Sequence, residues 1–108
     1  MPGVKSRFNA EGLTIDGDFW YFLADAGAEL VQYAHTPVLC SAMLPPYRAG
    51  KPVLDAWVDL VNGYFVKQLG NSPDDYDQHG LSKTGTGAGD NFNGRSWWWF
   101  KCTQVAFW

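Results

Sequence analysis

The chain has 108 residues, 46% of them hydrophobic and 17% aromatic, with 8 basic against 11 acidic side chains and a net charge of −3. That length suits one domain with a real core, and that composition excludes a disordered chain. The densest basic cluster, Lys5 and Arg7, is far too small to track phosphates, so no nucleic-acid partner is expected, and no apolar run approaches the ~18 residues of a membrane span.

The first stretch, "MPGVKSRFNAEG", has no apolar h-region and so is no signal peptide. "DGDFWYFLADAGAELVQYA" predicts a helix over about 18–34, with Asp16 or Asp18 as N-cap. Phe19, Phe22, Leu23, Ala26, Leu30 and Tyr33 recur at helical spacing, while Asp18, Asp25, Glu29 and Gln32 fall on a polar face. Trp20 and Val31 widen the apolar stripe, so cover on more than one side is expected. In "TPVLCSAMLPPYRAG", Pro37, Pro45 and Pro46 leave room for one short helix at most, around 38–43.

A second strong helix is predicted over 52–69, with Pro52 at its first position and Gly70 just past its end. Its stripe is Leu54, Trp57, Val58, Val61, Tyr64, Phe65 and Leu69. Residues 70–94 are dense in Gly, Asn, Asp and Ser and read as a long Gly-rich loop, a feature often functional. The closing run, with Trp97, Trp98, Trp99, Phe100, Phe107 and Trp108, is continuously apolar and fits a buried strand, with a helical first turn as the alternative. A chain that stays apolar to its last residue reads as a piece of a longer protein, or as a domain needing a partner surface. The fold class is therefore mainly α, with a terminal strand-like segment. So many rings also make self-association an expectation.

Chemistry-bearing residues are few. A nucleophile on a GxSxG turn is missing: Ser6, Ser41, Ser72, Ser82 and Ser96 all lack that frame. His35 and His79 sit in turn-like contexts that suit loop anchoring, and Asp16 and Asp18, like Asp74, Asp75 and Asp77, read as caps or solvated turns. No catalytic residue and no cofactor is assigned. Cys40 and Cys102 form no CxxC pair and have no His at zinc spacing, so no metal site is predicted. The residues leave three readings open: two buried thiols, one mutual disulfide, or bridges to cysteines elsewhere.

"TGTGAGDNFNG", Thr84 to Gly94, resembles the signature of the ribokinase-like sugar kinases. There, Gly-Ala-Gly-Asp at a helix start makes an anion hole for developing phosphate charge. By that resemblance Asp90 would be the base, with Gly87 and Gly89 forming the hole. The context departs from that family, because Arg95 and three tryptophans follow instead of a small-residue helix.

A second resemblance covers more of the chain. Asp18, Phe19, Ala24, Asp25, Ala26, Gln32 and Tyr33 match a helix of the serine peptidase family of lysosomal Pro-Xaa carboxypeptidase and dipeptidyl peptidase II, with Ala34 where that family has Gly. Leu39 and Cys40 match its apolar-Cys pair. Arg95, Trp97, Cys102 and Thr103 match its Arg-x-Trp-x-x-Gln-x-Cys-Thr-Glu block, with Phe100 and Gln104 departing from it. These blocks stand in the family's order between residues 8 and 108.

The resemblance implies an α/β-hydrolase whose inserted helical domain caps the active site. Residues 1–94 would belong to that cap, and residues 95–108 would lead back toward the hydrolase core. The nucleophilic Ser would lie upstream and the Asp and His downstream, so this chain would supply the lid of a proline-specific carboxypeptidase or dipeptidyl peptidase and not its triad. The non-catalytic alternative is a binding module that works through its aromatic face. The resemblance further implies a secreted, lysosomal or vacuolar setting, bridged cysteines, a peptide substrate, and the rest of the hydrolase core as neighbour. In its dipeptidyl members, an Asp of a Tyr-Asp pair ahead of the Arg-Trp block binds the substrate's amino terminus. Tyr76 and Asp77 stand in about that place, and a carboxylate facing an ammonium is a strong, geometry-selective contact.

Overall fold

The computed structural model describes residues 2–84 and 94–105. All regular elements among them are helical: α1 (Pro2–Arg7), α2 (Asp16–Gln32), α3 (Thr36–Arg48), α4 (Val53–Leu60) continuing as a wide turn Val61–Val66, two 3-10 turns (Pro73–Tyr76 and Gln78–Ser82), and α5 (Gly94–Phe100) continuing as a wide turn Lys101–Val105. The mainly α expectation holds. The arrangement measures 48 × 31 × 26 Å with a radius of gyration of 15.3 Å. A compact domain of this length would have a radius of about 13 Å, so the helices are spread rather than balled.

α2 forms because Phe19, Phe22, Ala26 and Leu30 lie on one stripe, and all four are fully buried. It starts after Ile15 without a side-chain cap. The expected caps lie inside its first turn, where their charge suits the helix dipole. Asp16 is held by Lys5, and Asp18 by Gln78. Trp20 and Val31 are more than half exposed, so the second covered side is not there. The helix ends in a left-handed residue, Ala34 (φ 66°), and the His35 N–H donates to the Leu30 carbonyl at 2.7 Å. This 6→1 bond closes the last turn.

α3 is longer than its prolines suggest. Pro37 sits in the first turn, which has no N–H partner to lose. Pro45 and Pro46 fall in the last turn, where their own carbonyls accept from Ala49 and Lys51. None of its side chains is fully buried, though Val38, Leu39, Ala42 and Met43 are partly so. α4 begins one residue after Pro52, and the following wide turn keeps Val61 and Phe65 on the buried face beside Leu60. Gly70, just past the end, has φ 78° as a C-terminal glycine should.

The core centres on Phe19, Phe22, Val61 and Phe65, and the N-terminal segment adds Phe8 and Leu13. Lys5 ties that segment down: it is only 8% exposed, its ammonium donates to the Leu13 carbonyl at 2.7 Å, and it pairs with Asp16 at 2.8 Å. Lys5→Met should cost about 1–3 kcal/mol, because it leaves a buried carbonyl without its donor. The ion pair also holds the Asp16 carboxyl below its ordinary value. Its contribution is therefore complete at neutral pH and lost as pH falls through that lowered value, and Lys5→Met should remove this acid sensitivity. Urea melts at several pH values read both effects. A variant within about 0.5 kcal/mol of wild type would refute the anchoring role.

Two expectations need correction. The expected strand at the C-terminal run is helical over residues 94–105. Its rings meet at helical spacing: Trp97 stacks on Phe100 at 5.7 Å, the Lys101 ammonium lies over Trp97 and Trp98 at 5.9 and 3.9 Å, and Thr103 Oγ1 donates to the Trp99 carbonyl. Those i+3 and i+4 contacts outweigh the β preference of aromatics. Cys40 and Cys102 are both exposed free thiols in this structure, neither buried nor bridged to each other. Within the expected loop 70–94, residues 73–82 form the two 3-10 turns. The first is closed by a capping box in which the Ser72 side chain accepts from the Asp74 N–H and the Asp75 carboxylate accepts from the Ser72 N–H. Gly87, Gly89, Asp90, Phe107 and Trp108 lie outside the described residues.

Candidate functional site

The cleft that gathers most of the chain's chemistry, about 360 Å³, opens between α2, the 3-10 turns and α5. Asp18 and Tyr21 come from α2, Asp74, Asp75, Tyr76 and Gln78 from the turns, and Trp98 from α5, with Lys83 at the rim. Asp18 is 92% buried by its neighbours, being 8% exposed. Its carboxylate accepts from the Gln78 backbone N–H at 2.9 Å and from Gln78 Nε2 at 3.0 Å. About two helical turns further along α2, Asp25 Oδ2 accepts from the Tyr76 hydroxyl at 2.6 Å. These carboxylates clamp the turns onto α2.

Aromatic edges complete the wall. Tyr76 meets Tyr21 and Phe22, each at 5.3 Å, and Tyr21 meets Trp98 at 5.9 Å. Burial, reinforced by the bond to Asp25, pushes the Tyr76 phenol far above its ordinary range, so it stays a proton donor. Burial also raises Tyr21, with Asp25 and Glu29 adding to the effect. Asp75 is raised by burial against the opposing Ser72 N–H bond.

Asp77, the residue expected to bind substrate, lies in sequence between Tyr76 and Gln78, which line this cleft, but does not line it itself. Its carboxylate accepts from the His79 N–H at 3.0 Å and meets His79 Nδ1 at 2.7 Å. The His79 N–H bond, and then the ring, hold Asp77 below the ordinary aspartate value, so it remains charged through mild acid. An Asp–His pair is thus present, but Ser82 Oγ donates to the His79 carbonyl, which engages the nearest hydroxyl with backbone. His35 is likewise engaged, meeting the Tyr64 hydroxyl through Nδ1 at 2.9 Å. Among the described residues no group of three or more His, Cys, Asp or Glu could hold a metal ion, and no helix is long and apolar enough to cross a membrane.

The cleft residues that the sequence does not flag are Asp18 as a clamp, Gln78, Lys83 and the Asp25–Tyr76 pair. Asp18 carries one signal: it precedes Phe19 in the first turn of a helix whose stripe is fully buried, so its side chain starts at the core's edge.

Among the described residues the cleft is acidic and aromatic-walled, a chemistry that can receive a cationic group. Comparison with known proteins points to a peptidase-like relationship. The chain is 30% identical over 104 residues to the probable serine protease EDA2 of Arabidopsis thaliana, a match that covers 96% of this chain and 21% of that protein. The chain thus spans about a fifth of that relative's length. No family model matches the chain, and no solved structure matches it significantly.

Proposed function

We propose that the chain is the helical cap segment of a serine exopeptidase of the Pro-Xaa carboxypeptidase and dipeptidyl peptidase II type. The observation that carries this is the match along nearly the whole chain to a probable serine protease. Ala34 lends support. It holds φ 66°, a left-handed conformation that glycine takes without strain, where the resembled family has Gly. In this reading the hydrolase core, carrying the Ser-His-Asp triad, lies beside the exposed aromatic faces. The compartment is secreted, lysosomal or vacuolar. Asp77, with the acidic wall behind it, receives the amino terminus of a peptide.

Two measurements test this. The chain alone should not react with a fluorophosphonate probe, since its serines lack a base; labelling at one of its own serines would overturn the lid role. In NMR titrations, short peptides with a free amino terminus should shift residues 74–81, and their acetylated forms should not. Asp77→Asn should abolish the difference. Equal shifts from both peptides would remove Asp77 as an ammonium site.

A further inference from the structure

The cleft between α2, the 3-10 turns that form its lip, and α5 holds about 360 Å³. Ligand pockets run roughly 300–1,000 Å³, so this one has room for a single side chain rather than a length of peptide. Asp18, Asp74 and Asp75 bring three carboxylates to its wall, against the one ammonium of Lys83 among the described lining residues. Tyr76, Tyr21 and Trp98 bring three rings, joined edge to face at 5.3 and 5.9 Å.

We propose that this cleft receives the guanidinium of an arginine side chain, carried by the peptide whose amino terminus meets Asp77. That the cation arrives on a peptide rests on the exopeptidase reading; that it is a guanidinium follows from the cleft itself. Among the described residues no three His, Cys, Asp or Glu groups could hold a metal ion, so the carboxylates are spaced for a larger cation. A guanidinium fits both kinds of wall at once. Its rim of five N–H donors suits carboxylates, and its flat, weakly hydrated faces suit rings. A lysine ammonium is compact and strongly hydrated and offers no flat face.

The wall has the capacity to take it. Asp75 Oδ2 accepts one bond, from the Ser72 N–H, of the four or so that a carboxylate can accept. Asp18 is held in place by Gln78 through two bonds, which fixes a buried charge at the cleft's α2 side. Trp98 already carries a cation of the chain's own: the Lys101 ammonium lies 3.9 Å from its centroid, although Lys101 does not line the cleft. Asp77 stands between Tyr76 and Gln78 in sequence, so an amino terminus there lies about one residue, ~3.8 Å of chain, from the cleft wall. That is within reach of an arginine side chain.

NMR titration of the whole chain with N-acetyl-arginine N-methylamide tests this without any free amino terminus. The Trp98 indole and the Tyr21 and Tyr76 ring signals should shift and saturate, and the effect should weaken with added salt. The citrulline analogue keeps the shape and loses the charge, so it should bind at least several-fold more weakly, as should the lysine analogue. Asp74→Asn, which leaves the backbone N–H of the capping box in place, should weaken the arginine compound a few-fold. Asp59→Asn, on α4 and away from the cleft, should not, and both variants should melt like wild type. No shift with the arginine compound, equal binding of citrulline, equal or tighter binding of lysine, or unchanged affinity in Asp74→Asn would each overturn the assignment. Peptides with a free amino terminus and no basic side chain report on Asp77 alone, so failure of the amino-terminal reading is distinct from failure of this one.

Discussion

Phe22→Ala is expected to unfold the chain near room temperature or leave it barely folded. The ring is fully buried. It packs on Phe65 at 5.9 Å and on Tyr76 at 5.3 Å, so it joins α2 to the wide turn after α4 and to the cleft lip at once. Removing a buried Phe typically costs about 3–5 kcal/mol, against about 5–15 kcal/mol for a whole domain. The structure is spread out and no residue of α3 is fully buried, which places this chain toward the lower end of that range. Circular dichroism melts should show the loss directly. The 73–82 amides should lose protection with it, since Tyr76 would lose its neighbour. A variant that melts within a few degrees of wild type would show that the core does not centre on this ring.

The parts of this fold legible in the sequence are those with long, regular periodicity. The Phe19–Leu30 stripe and the Trp57–Phe65 stripe each repeat over several turns, and the residues they single out are largely the ones that become core. Gly70 is legible because few residues other than glycine end a helix at positive φ. The N-terminal segment is not legible: Phe8 and Leu13 have no periodic neighbours, and only Lys5, reaching eight residues along to the Leu13 carbonyl, explains why they turn inward. "WWWF" carries no period that separates strand from helix, so contacts between its own rings decide the matter.

The candidate site is less legible than the fold because it is assembled from distant pairs. Asp18 and Gln78 are sixty positions apart, and Asp25 and Tyr76 fifty-one. Nothing in the local pattern around Asp18 distinguishes a cap from a buried clamp. Asp77 is suggested only by family resemblance, and its engagement by His79 two residues on is the sort of local turn contact that Asp makes in many loops.

Replacing Trp97, Trp99 and Phe100 together with serine is expected to turn a sticky, self-associating chain into a better-behaved monomer. These rings are 52, 64 and 42% exposed, and Trp20 on α2 is 53% exposed. A Trp presents roughly 150–250 Å², and uncovered apolar area costs about 25 cal/mol per Å² relative to burial. Three rings about half uncovered therefore leave several kcal/mol of adhesive surface, comparable with the stability of the fold itself. Wild type should bind a hydrophobic dye and elute well above its 12.1 kDa mass, and Trp97→Ser/Trp99→Ser/Phe100→Ser should reduce both. Trp98 is the internal control, because its ring packs on Tyr21 and lies beneath the Lys101 ammonium. Trp98→Ser should loosen α5 and increase dye binding, although the residue it alters adjoins two of those in the triple variant. A wild-type chain that is monomeric and dye-negative would show that these rings need no covering surface. The expectation of a hydrolase core seated against this face would then lose its physical motive.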